Sequence, residues 1–156
     1  MSKILISIIA VVVLVGIGLL YDEKKDVENP ADGEIPLVRI GGTEIPVEVA
    51  KTDQERAKGL SGRDFLEPDK GMLFVFSQPG NYNFWMPDMN FPIDIIWITG
   101  GKIVGIEKDV PNEFDPQNPV FYLPPKPVEY VLEVNAGFVQ AHGIKIGDDV
   151  IFRNIE

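Results

Sequence analysis

The sequence has no cysteine and a single histidine, His142, among its 156 residues. Without thiols the chain cannot form disulfides, thiolate zinc sites, iron–sulfur clusters or a cysteine nucleophile. One imidazole likewise excludes a zinc or iron centre that takes two or three histidines from one chain. We therefore expect no metal and no cofactor.

Serines are also scarce, since only Ser61 and Ser77 follow the N-terminal apolar run. The string from Gly59 to Arg63 does not fit the G-x-S-x-G nucleophile elbow. The sequence therefore does not support a serine hydrolase.

Basic residues are few, with 14 lysines and arginines against 24 acidic residues and a net charge of −10. No stretch of the chain forms a basic stripe. Because such a surface repels a polyanion, we expect no nucleic acid partner.

One long apolar run is present at residues 4–20, seventeen residues without a charge. This length is at the lower limit for a helix that crosses a bilayer. Tyr21 and a charged string follow it, as is typical of a membrane boundary. The run predicts a single-pass anchor in the cell membrane, with the domain on the extracytoplasmic side. A cleaved signal and a secreted protein are the alternative, although the small-residue site at Gly16-Ile17-Gly18 is weak.

The rest of the chain divides into a linker and one domain. Residues 21–34 hold eight charges in fourteen positions and predict a solvated, charged linker. From residue 35 to residue 156 the pattern is β-rich, with apolar and polar residues alternating on either side of Gly41-Gly42. A turn at these two glycines places Arg39 opposite Glu44.

Further elements follow from local signals. Thr52 and Glu55 form a capping box that predicts a short helix ending at Gly59. Asn135 is expected to cap a second short helix that ends at Gly143. Apolar strings predict the other strands, at residues 71–76, 84–86, 93–99, 102–108, 128–134 and 148–153. Residues 109–127 hold six of the thirteen prolines and predict a long loop.

This order of elements predicts a mainly β domain, a single sandwich or barrel with two short helices. Several strings also occur in the order of a known family, among them Gly71-Met72-Leu73-Phe74, Phe84-Trp85-Met86 and Gly143-Ile144-Lys145-x-Gly147-Asp148. The chain closely resembles the uncharacterised domain-of-unknown-function 192 family over roughly residues 44–153. The resemblance implies a jelly-roll character and supplies no reaction.

Five residues are candidates for ligand binding. Trp85 could offer a flat platform to a sugar or an aromatic ligand, with Asp88 nearby, although large aromatic residues also fill the cores of small β domains. Asp94 and Glu133 lie inside apolar strands, where a carboxyl is buried, paired or functional. A two-residue turn at Gly100-Gly101 would place Asp94 opposite Glu107.

Such a like-charge pair would need compensation, and Asp94→Asn would then stabilise the ligand-free domain. The alternative is that strand pairing ends before Asp94 and leaves Glu107 in solvent.

Two functions from different classes remain open. The first is a membrane-tethered β domain that binds a small polar or saccharide ligand, or a partner, at the end that carries the proline-rich loop. The second is a hydrolase that uses two carboxylates on cell-envelope glycan, for which their separation would be diagnostic.

Overall fold

The computed structural model describes residues 35–155. The predicted anchor at residues 1–20 and the predicted linker at residues 21–34 lie outside the described residues. Within residues 35–155, no helix is both long enough and apolar enough to cross a membrane.

Seven strands and two short helices make up the described part of the chain, so the mainly β prediction is confirmed. In chain order they are β1 (Leu37–Ile40), β2 (Thr43–Ala50), α1 (Asp53–Lys58), β3 (Gly71–Gly80), β4 (Ile93–Thr99), β5 (Lys102–Val110), β6 (Val128–Asn135), α2 (Phe138–Ala141) and β7 (Val150–Arg153).

The strands form one sheet in the order β5-β4-β6-β3-β2-β1-β7, in which only β2 and β3 run parallel. The sheet curls into a half-barrel, and its two ends approach each other. The Val150 N–H donates to the Gly101 carbonyl at 2.8 Å, and the Ile103 N–H donates to the Asp148 carbonyl at 3.0 Å. The described residues therefore form a single curled sheet and not the two stacked sheets of a sandwich.

The two faces of this sheet bury different cores. Side chains from all seven strands and from α2 pack together, as expected when a sheet curls around its inner face. The outer face of β3, β4 and β6 is covered instead by the segments that follow α1 and β3 and by Tyr122 of the proline-rich loop. Alternation along β3 places Met72 and Phe74 outside and Leu73 inside.

Predictions that depend only on residues close in the sequence are confirmed. In the β1–β2 hairpin, Arg39 pairs with Glu44 as predicted. The capping box is also present, because the Glu55 N–H donates to the Thr52 hydroxyl at 3.2 Å and the Thr52 N–H donates to the Glu55 carboxylate at 2.9 Å. The helix ends at Gly59, which has a φ of 47°.

One predicted strand and one predicted helix cap are wrong. The string Phe84 to Met86 forms no strand, since only Phe84 pairs, with Tyr122 of the proline-rich loop. Asn135 does not cap α2, because its side-chain amide donates to the carbonyls of Leu66 and Glu67, both at 3.1 Å.

The predicted register of the β4–β5 hairpin is also wrong beyond its first two pairs. Ile98 pairs with Ile103, but Trp97 pairs with Gly105, which leaves Val104 as an extra, bulged residue. A Cβ atom on Gly105 would lie 2.9 Å from the Trp97 side chain and 2.8 Å from that of Pro125. The close packing of Trp97 and Pro125 therefore selects glycine opposite Trp97, and the bulge shifts the pairs of Ile96 and Ile95 by one residue.

Candidate functional site

Glu133 lies near the middle of the outer face, in β6, which is flanked by β3 and β4. Met72 pairs with it on one side and Ile95 on the other. The alternation of β6 therefore places a carboxyl among apolar side chains, on the face that the loops cover. Glu133 is only 6 % exposed.

A cavity of about 250 Å³ opens above Glu133. One wall is residues 56–61, the end of α1 and the turn after it, and the opposite wall is residues 82–87 together with Met89. Five aromatic residues line it: Phe74, Phe76, Tyr82, Phe84 and Trp85.

Hydrogen bonds between the two walls hold the cavity open in a defined shape. The Gly62 N–H donates to the Asp88 carbonyl at 2.7 Å, and the Ser61 hydroxyl donates to the Pro87 carbonyl at 2.9 Å. Asp88 itself has a φ of 52°, which orients its carbonyl toward Gly62. The cavity is thus formed by the fold before any ligand arrives.

The Glu133 carboxyl has no hydrogen bond and no ion pair with any residue of the described range 35–155. Burial alone raises its pKa from 4.5 to about 8. The group is therefore largely protonated at neutral pH, and it can both donate and accept a hydrogen bond.

Two cationic side chains also line the cavity, and neither of them contacts Glu133. The Arg56 guanidinium donates to the carbonyls of Lys51 and Val75, pairs with Asp53, and lies 5.1 Å from the centre of the Phe76 ring. The exposed Lys58 places its amine beside Gly62.

Trp85 stands at the mouth of the cavity and is 48 % exposed. Its ring stacks on Phe121 at 5.8 Å and meets the edge of Phe114 at 5.5 Å. Both partners belong to the proline-rich loop, so this loop holds the tryptophan at the rim. The expectation of a fully buried core tryptophan does not apply to Trp85.

Asp94 is completely buried, on the other face of the sheet from Glu133, because it pairs with Val134. Its carboxylate accepts three backbone N–H bonds, from Asp109 at 2.8 Å, Val139 at 2.9 Å and Gly137 at 3.3 Å. Asp94 therefore holds the start of α2, the position predicted for Asn135. These three bonds engage both oxygens of the Asp94 carboxylate within the fold.

The predicted pair of Asp94 and Glu107 does not form, since Glu107 pairs with Ile95. Glu107 is half-buried beside Tyr122, and burial and the Glu107 charge together raise the pKa of that tyrosine. Asp88 is exposed. Neither Glu107 nor Asp88 lines the cavity.

Of the five candidates, the structure brings together only Glu133 and Trp85, at the base and the rim of one cavity. Arg56 and the three phenylalanines of the cavity, Phe74, Phe76 and Phe84, were not among the residues predicted from the sequence. The shared alternation of β3 and β6 could have indicated that Phe74 and Glu133 occupy one face. No three acidic or histidine side chains of residues 35–155 are grouped to hold a metal ion.

Comparison with known proteins agrees with this fold. The model of the DUF192 family, described as uncharacterized ACR, matches residues 37–152. The chain belongs to the DUF192 family. No curated protein matches it.

Two crystal structures show the same fold. A protein of unknown function from Novosphingobium aromaticivorans is 32 % identical with a TM-score of 0.66, and the match covers 74 % of this chain and 83 % of that one. A Sinorhizobium meliloti protein, provisionally named a transcription regulator, is 30 % identical with a TM-score of 0.68. That match covers 76 % of this chain and 94 % of the other.

Proposed function

We propose that this DUF192 protein is a binding module that takes a small ligand into the cavity above Glu133. One observation carries the proposal: a buried carboxyl without a protein partner lies at the base of an aromatic cavity that opens to solvent. A carboxyl held in apolar surroundings lowers stability, so its presence in a preformed cavity favours a role toward something that enters.

The size and chemistry of the cavity support a small ligand. Its volume of about 250 Å³ is just below the range of roughly 300–1,000 Å³ that is typical of drug-sized ligands. Apolar side chains with a few polar groups form its lining, as in most small-molecule sites. The saccharide alternative would use Trp85 at the rim as its platform.

The hydrolase alternative has less support. Glycoside hydrolysis needs two carboxyls that flank the scissile bond. Glu133 is the only carboxyl that lines the cavity within the described range, and Asp94 faces the other way with its oxygens occupied. The geometry therefore favours binding over this reaction.

We also propose that the module is tethered to the cell membrane through residues 4–20 and faces the extracytoplasmic side. The uncharged run and the charged residues after it support this placement. We do not propose that this chain regulates transcription as the name of the Sinorhizobium protein suggests for that protein, because a net charge of −10 opposes binding to nucleic acid.

A thermal-shift screen of the full chain in detergent tests the binding proposal, using small amines, alcohols and monosaccharides. We expect at least one compound to raise the melting temperature with increasing concentration. Ala57→Trp, which places a large ring at the exposed wall of the cavity, should abolish that shift. Ala141→Trp, on the exposed end of α2, is the matched control. Hits that Ala57→Trp leaves unchanged would place binding elsewhere and contradict the proposal.

A further inference from the structure

We infer that the ligand is a small organic cation, an amine or alkylammonium, held between the aromatic rings of the cavity and the Glu133 carboxylate. This inference rests on the proposed function and names the chemical class of its ligand. Three features of the cavity support it: the rings, the lone acid and the position of the resident cations.

Four of the aromatic rings that line the cavity pack against one another in two pairs. Phe74 and Phe84 meet edge to face, with centroids 4.9 Å apart and planes at 84°. Phe76 and Tyr82 stack at 3.6 Å. Aromatic faces carry negative electrostatic potential and attract ammonium groups, most strongly where water is excluded.

The cavity already holds one cation in this manner. The Arg56 guanidinium lies over the Phe76 ring at 5.1 Å, at the edge of the same aromatic cluster. Its hydrogen bonds to two backbone carbonyls fix it there. The remaining rings, among them Phe74 and Phe84, have no charged partner among the described residues.

The Glu133 carboxyl at the base of the cavity favours a cation over a neutral ligand. A hydroxyl or amide side chain would suffice to hydrogen-bond a neutral molecule, with a smaller penalty for burial. A carboxyl at this position becomes favourable when an opposite charge arrives, because the attraction is strong in a site that excludes water. The net charge of −10 also attracts cations to the chain.

None of the charged or titratable groups around Glu133 in residues 35–155 pairs with its carboxyl. From α1, Arg56 is held by backbone carbonyls and Lys58 places its amine beside Gly62. From residues 82–89, Tyr82 donates its hydroxyl to the Gln78 carbonyl at 2.8 Å. From β3 and β4, the paired neighbours Met72 and Ile95 carry no charge.

The test is calorimetric titration of the full chain in detergent with two isosteric pairs. Choline is compared with 3,3-dimethyl-1-butanol, and n-butylammonium with 1-butanol, so that each pair differs in charge and little in shape. We expect at least one cation to bind about tenfold more tightly than its neutral partner. Its affinity should fall as pH decreases below about 8, because Glu133 must lose its proton.

Glu133→Gln should remove the preference for the cation, since it keeps the shape and deletes the charge. Asp69→Asn, which removes an exposed charge that does not line the cavity, is the matched control and should bind as the wild type does. Neutral partners that bind as tightly as the cations would overturn the inference and leave the proposed binding module intact. Failure of both cations to bind would also overturn it, whereas the proposed function fails with an empty thermal-shift screen or with hits that Ala57→Trp leaves unchanged.

Discussion

Asp94 and Glu133 lie in adjacent strands, and their side chains leave the sheet on opposite faces. Asp94 pairs with Val134, and Ile95 pairs with Glu133, so the two acids differ by one step of alternation. The Asp94 carboxylate accepts three backbone N–H bonds inside the fold, and the Glu133 carboxyl lines an open cavity. This single step separates a structural acid from a functional candidate.

The first prediction concerns the pH dependence of stability. The folded-state pKa of Glu133, about 8, lies above its ordinary value of 4.5. Between these values the folded chain holds a proton that the unfolded chain has lost. The free energy of unfolding should therefore fall as pH rises through this window, by up to about 1.4 kcal/mol for each pH unit.

Denaturant unfolding of the wild type and Glu133→Gln at several pH values measures this effect. The variant should show a flatter profile between pH 5 and about 8. Glu48, whose pKa is lowered by Arg63, acts in the opposite direction, below its ordinary value of 4.5. Parallel profiles for the two proteins would contradict the raised pKa.

The second prediction is that Asp94 stabilises the fold. A facing pair of Asp94 and Glu107 would have implied the opposite. Asp94→Asn should destabilise the fold by about 1–3 kcal/mol, because the amide nitrogen cannot accept a hydrogen bond from a backbone N–H. The free energy of unfolding at neutral pH measures the loss. Asp88→Asn, at an exposed acid, serves as the control and should change stability little. A stabilised Asp94→Asn protein would show that the three N–H bonds are not formed.

The third prediction tests the bulge that sets the β4–β5 register. Gly105→Ala should cost about 1–3 kcal/mol, since the added Cβ would lie 2.8 Å from Pro125 and 2.9 Å from Trp97. Gly42→Ala is the matched control, because a Cβ there meets nothing within 4 Å. Equal unfolding free energies for the two variants would mean that residue 105 has room for a side chain.

The fourth prediction concerns the apolar run at residues 4–20. We expect the full chain to sediment with membranes and to resist carbonate extraction, as a spanning segment does. A variant with two arginines in the middle of the run should lose this behaviour, because charged residues are costly at the centre of a bilayer. Recovery of an intact soluble domain that lacks residues 1–20 would instead favour a cleaved signal.

Short-range features of this protein were predictable from the sequence because short-range interactions determine them. The capping box at Thr52, the glycine stop at Gly59 and the hairpin at Gly41-Gly42 depend on residues a few positions apart. The mainly β class follows from alternation that repeats along the chain. Glu133 was also identifiable from the sequence, since an acid inside an apolar strand is unusual.

The tertiary structure decided the rest, because contacts between distant residues were needed. The close packing of Trp97, Gly105 and Pro125 introduced the bulge and moved Glu107 away from Asp94. The start of α2 is held by Asp94, from a strand more than forty residues earlier, and not by the nearby Asn135.

The cavity itself arises only when segments 56–61 and 82–89 meet over Glu133. Local residue patterns specified the alternation of the strands, the tight turns and the capping box. The curl of the sheet and the packing of its loops determined which acid is satisfied within the fold and which one faces a ligand.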